Sequence, residues 1–319
     1  MSSRRPVRAC YPVRSAVSAL PEGGVIGLIA PAGPVALEPI RAQQWAQARG
    51  YKLRIFPGVS QRHGYLAGSD EVRLRDLHDA FSDDEIDAIF CLRGGYGCPR
   101  LLDKIDYQRL EKHPKILVGY SDITALHLAI ARHAGFMTFH GPMFNIDLLG
   151  DKQPPTESSL FDLLTGRARA GTVLHHPKAY PLTAVIPGVA SGRLQGGNLS
   201  LICASLGTAY EIDTDGVILL MEDVNEPLYR IDRLLTHLRL AGKLEGLRGV
   251  LVGDFAGIDS DALLCLLKQE LEPLAIPVLA GWRSGHCDPN LTLPLGAQVR
   301  LDADALQLVL EQDVTLAAN

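Results

Sequence analysis

The stretch "ILVGYSDITALHLAI", residues 116–130, decides the fold. An apolar run ends at Gly119, Ser121 follows on a corner, and a helical pattern begins at once. A strand that turns sharply into a helix is the step an open parallel sheet makes at the carboxyl end of its strands. The neighbouring segments repeat it. "GGVIGLIAPAGPV" (23–35) reads as a buried strand and a Gly/Pro turn, and "LEPIRAQQWAQARG" (37–50) as an amphipathic helix closed by Gly50. "YKLRIFPG" (51–58) is a short strand, and residues 70–82 carry Leu74, Leu77, His78 and Phe81 on one helical face. "DAIFCLRGGYG" (87–97) is a buried strand ending in glycines, and "RLLDKIDYQRLEKHP" (100–114) a helix and turn. Strands alternating with helices up to about residue 145 predict a parallel sheet with helices on its faces.

Beyond that point the texture changes. "LLGDKQPPTESS" (148–159) is polar and holds two prolines, as an interdomain link does. The later half contains "GVILLMED" (216–223), a helical pattern over 227–241, "LRGVLVGDF" (247–255), a helix over 259–272 and "IPVLAGW" (276–282). A hairpin is predicted around Asp302–Asp304. The expected organisation is a flexible N-terminus (1–20), an α/β domain (21–150), a linker (151–185) and a smaller mixed α/β domain with antiparallel strands (186–319).

The 319 residues are 47% hydrophobic, enough for one large core or two. A formal net charge of -5 argues against a general nucleic-acid binder. The basic cluster Arg4, Arg5, Arg8 and Arg14 reads as a solvated terminus, because no continuous apolar stretch follows to make an export signal. No run approaches the roughly 18 apolar residues of a membrane helix. None of the six cysteines forms a C-x-x-C pair, and Cys91, Cys203 and Cys265 sit in apolar runs as buried thiols do. A soluble protein of a reducing, cytoplasmic compartment is expected. There is no H-E-x-x-H and no Cys/His metal spacing; the adjacent His175 and His176 read as a surface loop.

A serine hydroxyl needs a base within hydrogen-bond reach and donors for the oxyanion that it creates. The turn at Ser121 exposes a side chain and aims backbone N–H groups at one point, yet Ser121 or Asp122 would serve equally as a helix N-cap. "RGGYG", Arg93–Gly97, falls on the same sheet edge; the Gly95 N–H could pair with that of Asp122 as an oxyanion hole, or the glycines could form an ordinary turn. Glu222 and Asp223 end an apolar strand, where a carboxylate is well placed to orient a histidine. Arg230 and Arg233 flank Asp232 on the following helix, either as solvated charges or with an arginine turned to a substrate carboxylate. His286 lies in the loop "GWRSGHCDPNLTLPLG" (281–296), beside Cys287, which reads as a free thiol of no chemical role.

Taken together, "APAGPV", "RGGYG", "GYSDITALH", "GGNLSLI" (196–202), "LLMEDVNEPLYRIDRLL" and "GHCDPNLTLPLG" resemble the LD-carboxypeptidases, a family that includes the microcin C immunity peptidases. The resemblance runs in family order over most of residues 25–296. It implies a Rossmann-like N-terminal domain, a smaller C-terminal domain and a site in the cleft between them. It implies Ser121 as nucleophile, His286 as general base and acid, Glu222 as the third triad member, and oxyanion donors on the backbone of Gly95 and Asp122. Asn198 takes a supporting role. The implied reaction is release of terminal D-alanine from an L-centre, meso-diaminopimelate or lysine, in muropeptide tetrapeptides during cell-wall recycling. No metal or organic cofactor is implied, and a homodimer is. Arg230 or Arg93 would receive the terminal carboxylate. A peptidyl-nucleotide substrate, as in the microcin-type members, would call for an aromatic-rich loop, and Phe161 and Tyr180 are the only Phe, Tyr or Trp residues in 148–190. A non-catalytic peptide or sugar binder on the same scaffold would have no need of Ser, Glu and His together.

Overall fold

The computed structural model describes residues 15–317. Its first sheet has the order Leu293–Leu295, Thr138–His140, Ile116–Gly119, Ala88–Cys91, Val25–Ile29, Lys52–Ile55. The last five strands are parallel; Leu293–Leu295 is antiparallel to its neighbour. Ile116–Gly119 and Ala88–Cys91 are buried at every position, which is why they read as unbroken apolar runs. The helix Asp70–Ser82 is capped by the Ser69 side chain and buries Leu77, Ala80 and Phe81 against this sheet's core. The helix Thr124–His133 leaves the end of the Ile116–Gly119 strand.

The second sheet has the order Gln307–Leu310, Gln298–Asp302, Val189–Asn198, Val217–Val224, Gly249–Ala256, Val278–Ala280, Thr183–Ile186. Its four central strands are parallel and both edges are antiparallel. Side chains alternate across a strand, and Val217–Val224 shows the consequence. Ile218 and Leu220 join the core shared with the first sheet, while Val217, Leu219 and Met221 pack with Ile231, Leu235 and Leu267 beneath the helices Leu228–Leu240 and Ser260–Leu271. The even face continues to Glu222, which therefore looks toward the first sheet.

Three expectations need correction. Residues 15–20 are not loose: Val17–Ser18 pairs in parallel with Thr315–Leu316, and Leu20 donates to the Leu164 carbonyl. The rest of the expected flexible N-terminus, with the arginine cluster and Cys10, lies outside the described residues. The expected linker 151–185 is no bare tether either. It contains the helix Thr156–Leu164, whose Leu160, Phe161, Leu163 and Leu164 enter the main core, and most of the edge strand Thr183–Ile186. Cys265 is exposed, because the stripe Leu263, Leu266 and Leu267 turns it outward, whereas Cys91 and Cys203 are buried.

Candidate active site

Ser121 closes the turn after the Ile116–Gly119 strand with φ at 60°, a left-handed conformation rare outside glycine that costs on the order of 1–3 kcal/mol. A single 3-10 turn, Ser121–Ile123, then feeds the helix. The capping alternative fails: neither this turn nor the helix has a side-chain cap, and the Asp122 carboxylate instead accepts from the Cys98 N–H at 2.7 Å. The strain thus serves no cap, and it aims the hydroxyl out of the turn.

The glycine turn of the neighbouring strand presses on this corner. A Cβ on Gly94 would lie 2.9 Å from the Ser121 Cβ and 3.0 Å from its Oγ, so only glycine fits. The Gly94 carbonyl accepts from Gly33 at 3.0 Å, and in a trans peptide the Gly95 N–H of the same unit then points away from Gly33. The same Cβ position is 3.5 Å from the Asp122 nitrogen. The Gly94–Gly95 peptide and the Asp122 N–H thus both adjoin the serine corner.

The partners arrive from the second sheet. His286 Nε2 is 3.2 Å from Ser121 Oγ, and its Nδ1 is 2.7 Å from Glu222 Oε2. An ionised carboxylate only accepts, so Nδ1 carries the proton and Nε2 is free to take the serine's. The histidine loop is held by Leu291 N–H donating to the Arg283 carbonyl at 2.7 Å and Gly285 N–H donating to Asn290 Oδ1 at 3.0 Å. Gly285 has φ at 105°, and a Cβ there would fall 2.4 Å from Glu222 Oε2. The Tyr120 ring meets the imidazole edge-on at 4.9 Å.

Burial sets the electrostatics. Glu222 is fully buried, which by itself would raise its pKa; the neighbouring imidazoles of His140 and His286 outweigh burial and hold it at about 2. Burial would lower the pKa of His286, but the Glu222 hydrogen bond and the charges of Glu222, Asp223 and Asp147 raise it above the ordinary value. Burial pushes the Cys287 thiol up, so it stays protonated and no rival nucleophile.

Asn198 stands beside Glu222 in strand register. Its Oδ1 caps the helix Leu199–Ala204 through Leu201, and its Nδ2 donates to Asp223 at 3.0 Å. Arg93 donates to the Pro34 carbonyl at 3.1 Å, with a guanidinium nitrogen 3.9 Å from where a Gly95 Cβ would be. Arg230 is half exposed and paired with Glu226 at 2.8 Å. His140 and Ser284, not singled out in the sequence, border Glu222 from within the core. The available signal was the ending "FHGP" (139–142), a polar side chain at an apolar strand's end like Ser121 and Glu222. Among the described residues no group of three or more His, Cys, Asp or Glu is placed to hold a metal ion, and no helix is long and apolar enough to cross a membrane.

Residues 26–141 match the profile of the LD-carboxypeptidase N-terminal domain and residues 191–301 that of the LD-carboxypeptidase C-terminal domain. A probable murein peptide carboxypeptidase of Bacillus subtilis is 40% identical over 309 residues, spanning 94% of this chain and 95% of its own. A muramoyltetrapeptide carboxypeptidase from Oxalobacter formigenes superposes with a TM-score of 0.75 at 30% identity, covering 89% of this chain and 97% of that one. The wild-type microcin C7 self-immunity protein, without ligand, superposes with a TM-score of 0.86 at 25% identity over 94% of this chain and 100% of its own.

Proposed function

The chain belongs to the LD-carboxypeptidase family, and from that membership we propose that it is a serine carboxypeptidase releasing terminal D-alanine from muropeptide tetrapeptides. The scissile amide joins the D-alanine to an L-centre, meso-diaminopimelate or lysine. The observation that carries this reading is the continuous chain Ser121–His286–Glu222, at 3.2 and 2.7 Å, drawn from two sheets.

In the proposed reaction Ser121 Oγ attacks the amide carbon while His286 Nε2 takes its proton. The carbonyl oxygen gains negative charge facing the N–H groups of Gly95 and Asp122. Glu222 stabilises the imidazolium. His286 then gives the proton to the departing D-alanine nitrogen, leaving an acyl-enzyme. Water deprotonated by His286 attacks the acyl carbon, Ser121 leaves with the proton, and the shortened peptide is free. Every proton is accounted for within the triad. Arg93 suits the terminal carboxylate better than Arg230, since it borders the oxyanion turn while Arg230 already neutralises Glu226. Asn198 acts indirectly, by fixing the strand end at Glu222.

The two aromatic residues of 148–190 have other roles than stacking a nucleotide base: Phe161 is buried against Trp45 and Tyr51, and Tyr180 carries the Arg283 guanidinium. This favours the cell-wall substrate. We further propose a cytoplasmic homodimer working in cell-wall recycling, which accords with the free cysteines among the described residues and with the family resemblance. Mass spectrometry of a muropeptide mixture, with and without protein, tests the reading. Tetrapeptides should lose one alanine, and Ser121→Ala should abolish the change while keeping the fold. Cleavage of a peptidyl-nucleotide with tetrapeptides untouched would refute it.

A further inference from the structure

We propose that His140 is a positioning residue for the triad carboxylate: its Nε2–H is the donor to the second oxygen of Glu222, and Ser284 selects that tautomer. The inference rests on the triad reading above.

His140 ends the strand Thr138–His140 of the first sheet and has no exposed surface. Its Nε2 faces Glu222 Oε1 at 3.8 Å. Neither atom has a hydrogen-bond partner among the described residues, although both are buried. Two buried polar atoms, one able to donate and one only to accept, are each other's available partners. A closure of roughly 0.8 Å makes the hydrogen bond an ordinary one.

The other ring nitrogen decides whether His140 can donate. Its Nδ1 is 3.2 Å from Ser284 Oγ. A hydroxyl donating to Nδ1 leaves the ring proton on Nε2, facing the carboxylate. The four contacts then form two donor arms that converge on Glu222. Ser284 donates to His140, His140 to Glu222 Oε1, His286 to Glu222 Oε2, and Ser121 to His286. Glu222 is gripped on both oxygens, so it cannot rotate away from His286 when the imidazolium forms. The grip also spans the molecule, since His140 belongs to the first sheet and Glu222 to the second. His140 pairs in register with Leu293, seven residues beyond His286, so the support and the catalytic loop share one strand pair.

The test compares full-length His140→Gln, which keeps a donor near the Nε2 position, with His140→Phe, which fills the space without one. Tetrapeptide cleavage by His140→Phe should lose on the order of 10–100-fold in kcat with KM within about twofold, by analogy with outer hydrogen-bond partners at metal sites. His140→Gln should recover most of that loss. Ser284→Ala should lower kcat in the native background but add nothing on top of His140→Gln, because an amide has no tautomer to select. Thermal midpoints of all variants separate folding from chemistry. Equal kcat for the Gln and Phe variants, or an undiminished Ser284→Ala effect in the His140→Gln background, overturns the proposal. Ser121→Ala is the control: an inactive Ser121→Ala alongside a fully active His140→Phe removes only His140, whereas an active Ser121→Ala removes the triad and this support with it.

Discussion

Ser121 and His286 approach each other from two sheets that hold them by different means. On the serine side placement is by backbone. A left-handed residue and a close-packed glycine, Gly94, make the corner, and the Asp122 carboxylate is turned inward to Cys98. On the histidine side placement is by buried charge. Glu222 is ionised without solvent contact and is held by imidazoles and by the bare edge of Gly285. The first arrangement should tolerate a change of charge but not an added atom. The second should tolerate little change of charge.

The largest expected effect strikes the charged side. Glu222→Gln keeps the shape but offers His286 an amide, and steady-state cleavage should fall by about 10^4-fold in kcat, as in other triads whose carboxylate is neutralised. A loss of tenfold or less would mean that the histidine is oriented by something else. A smaller effect is expected on the backbone side. Gly94→Ala places a methyl 3.0 Å from the Ser121 Oγ and should cost about 10^2–10^3-fold in kcat, comparable to losing one oxyanion donor. Native circular dichroism with unchanged activity would show that the corner can yield.

The smallest effect is a shift along the pH axis, and it separates the two sides most cleanly. In the proposed mechanism His286 must be neutral to act as base, and its pKa is raised, so the acid limb of kcat/KM should lie above pH 6.5. Gly94→Ala should leave that limb in place, whereas Glu222→Gln should move it downward. The linked stability has opposite signs for the two partners. The protonated His286 contributes below pH 6.5, and that contribution is lost as pH rises through its folded pKa. Glu222 contributes above about pH 4.5, its ordinary value, and loses this as pH falls toward about 2. A limb at or below pH 6.5 in the native protein would contradict the raised value.

The legible parts of the molecule were those where one residue's environment repeats along the chain. Ala88–Cys91 and Ile116–Gly119 are buried on both faces, and Asp70–Ser82 has one buried stripe, so local pattern and tertiary role agree. Val189–Asn198 escaped notice as a strand because three glycines and the polar Ser191, Arg193, Gln195 and Asn198 leave few apolar side chains to show a pattern. The helix Thr156–Leu164 was masked by the polar, proline-bearing residues around its start. Leu293–Leu295 is three residues long with a central proline, and its partner strand lies far back in the chain. Ser121, Glu222 and His286 each stood at an abrupt break in an apolar pattern, and the order of the surrounding motifs linked them. His140 stood at such a break too, but its meaning depends on Glu222 and Ser284, and no local rule brings those together.

Leu293–Leu295 has a consequence for how this protein can be divided. The segment that carries His286 leaves the second sheet at Ala280 and is sewn into the first at Leu293. A gene cut between the halves would deprive the leading fragment of its outermost strand and leave the trailing fragment with an apolar loose end. The stitch also ties the loop bearing the imidazole to both sheets, one before it and one after it.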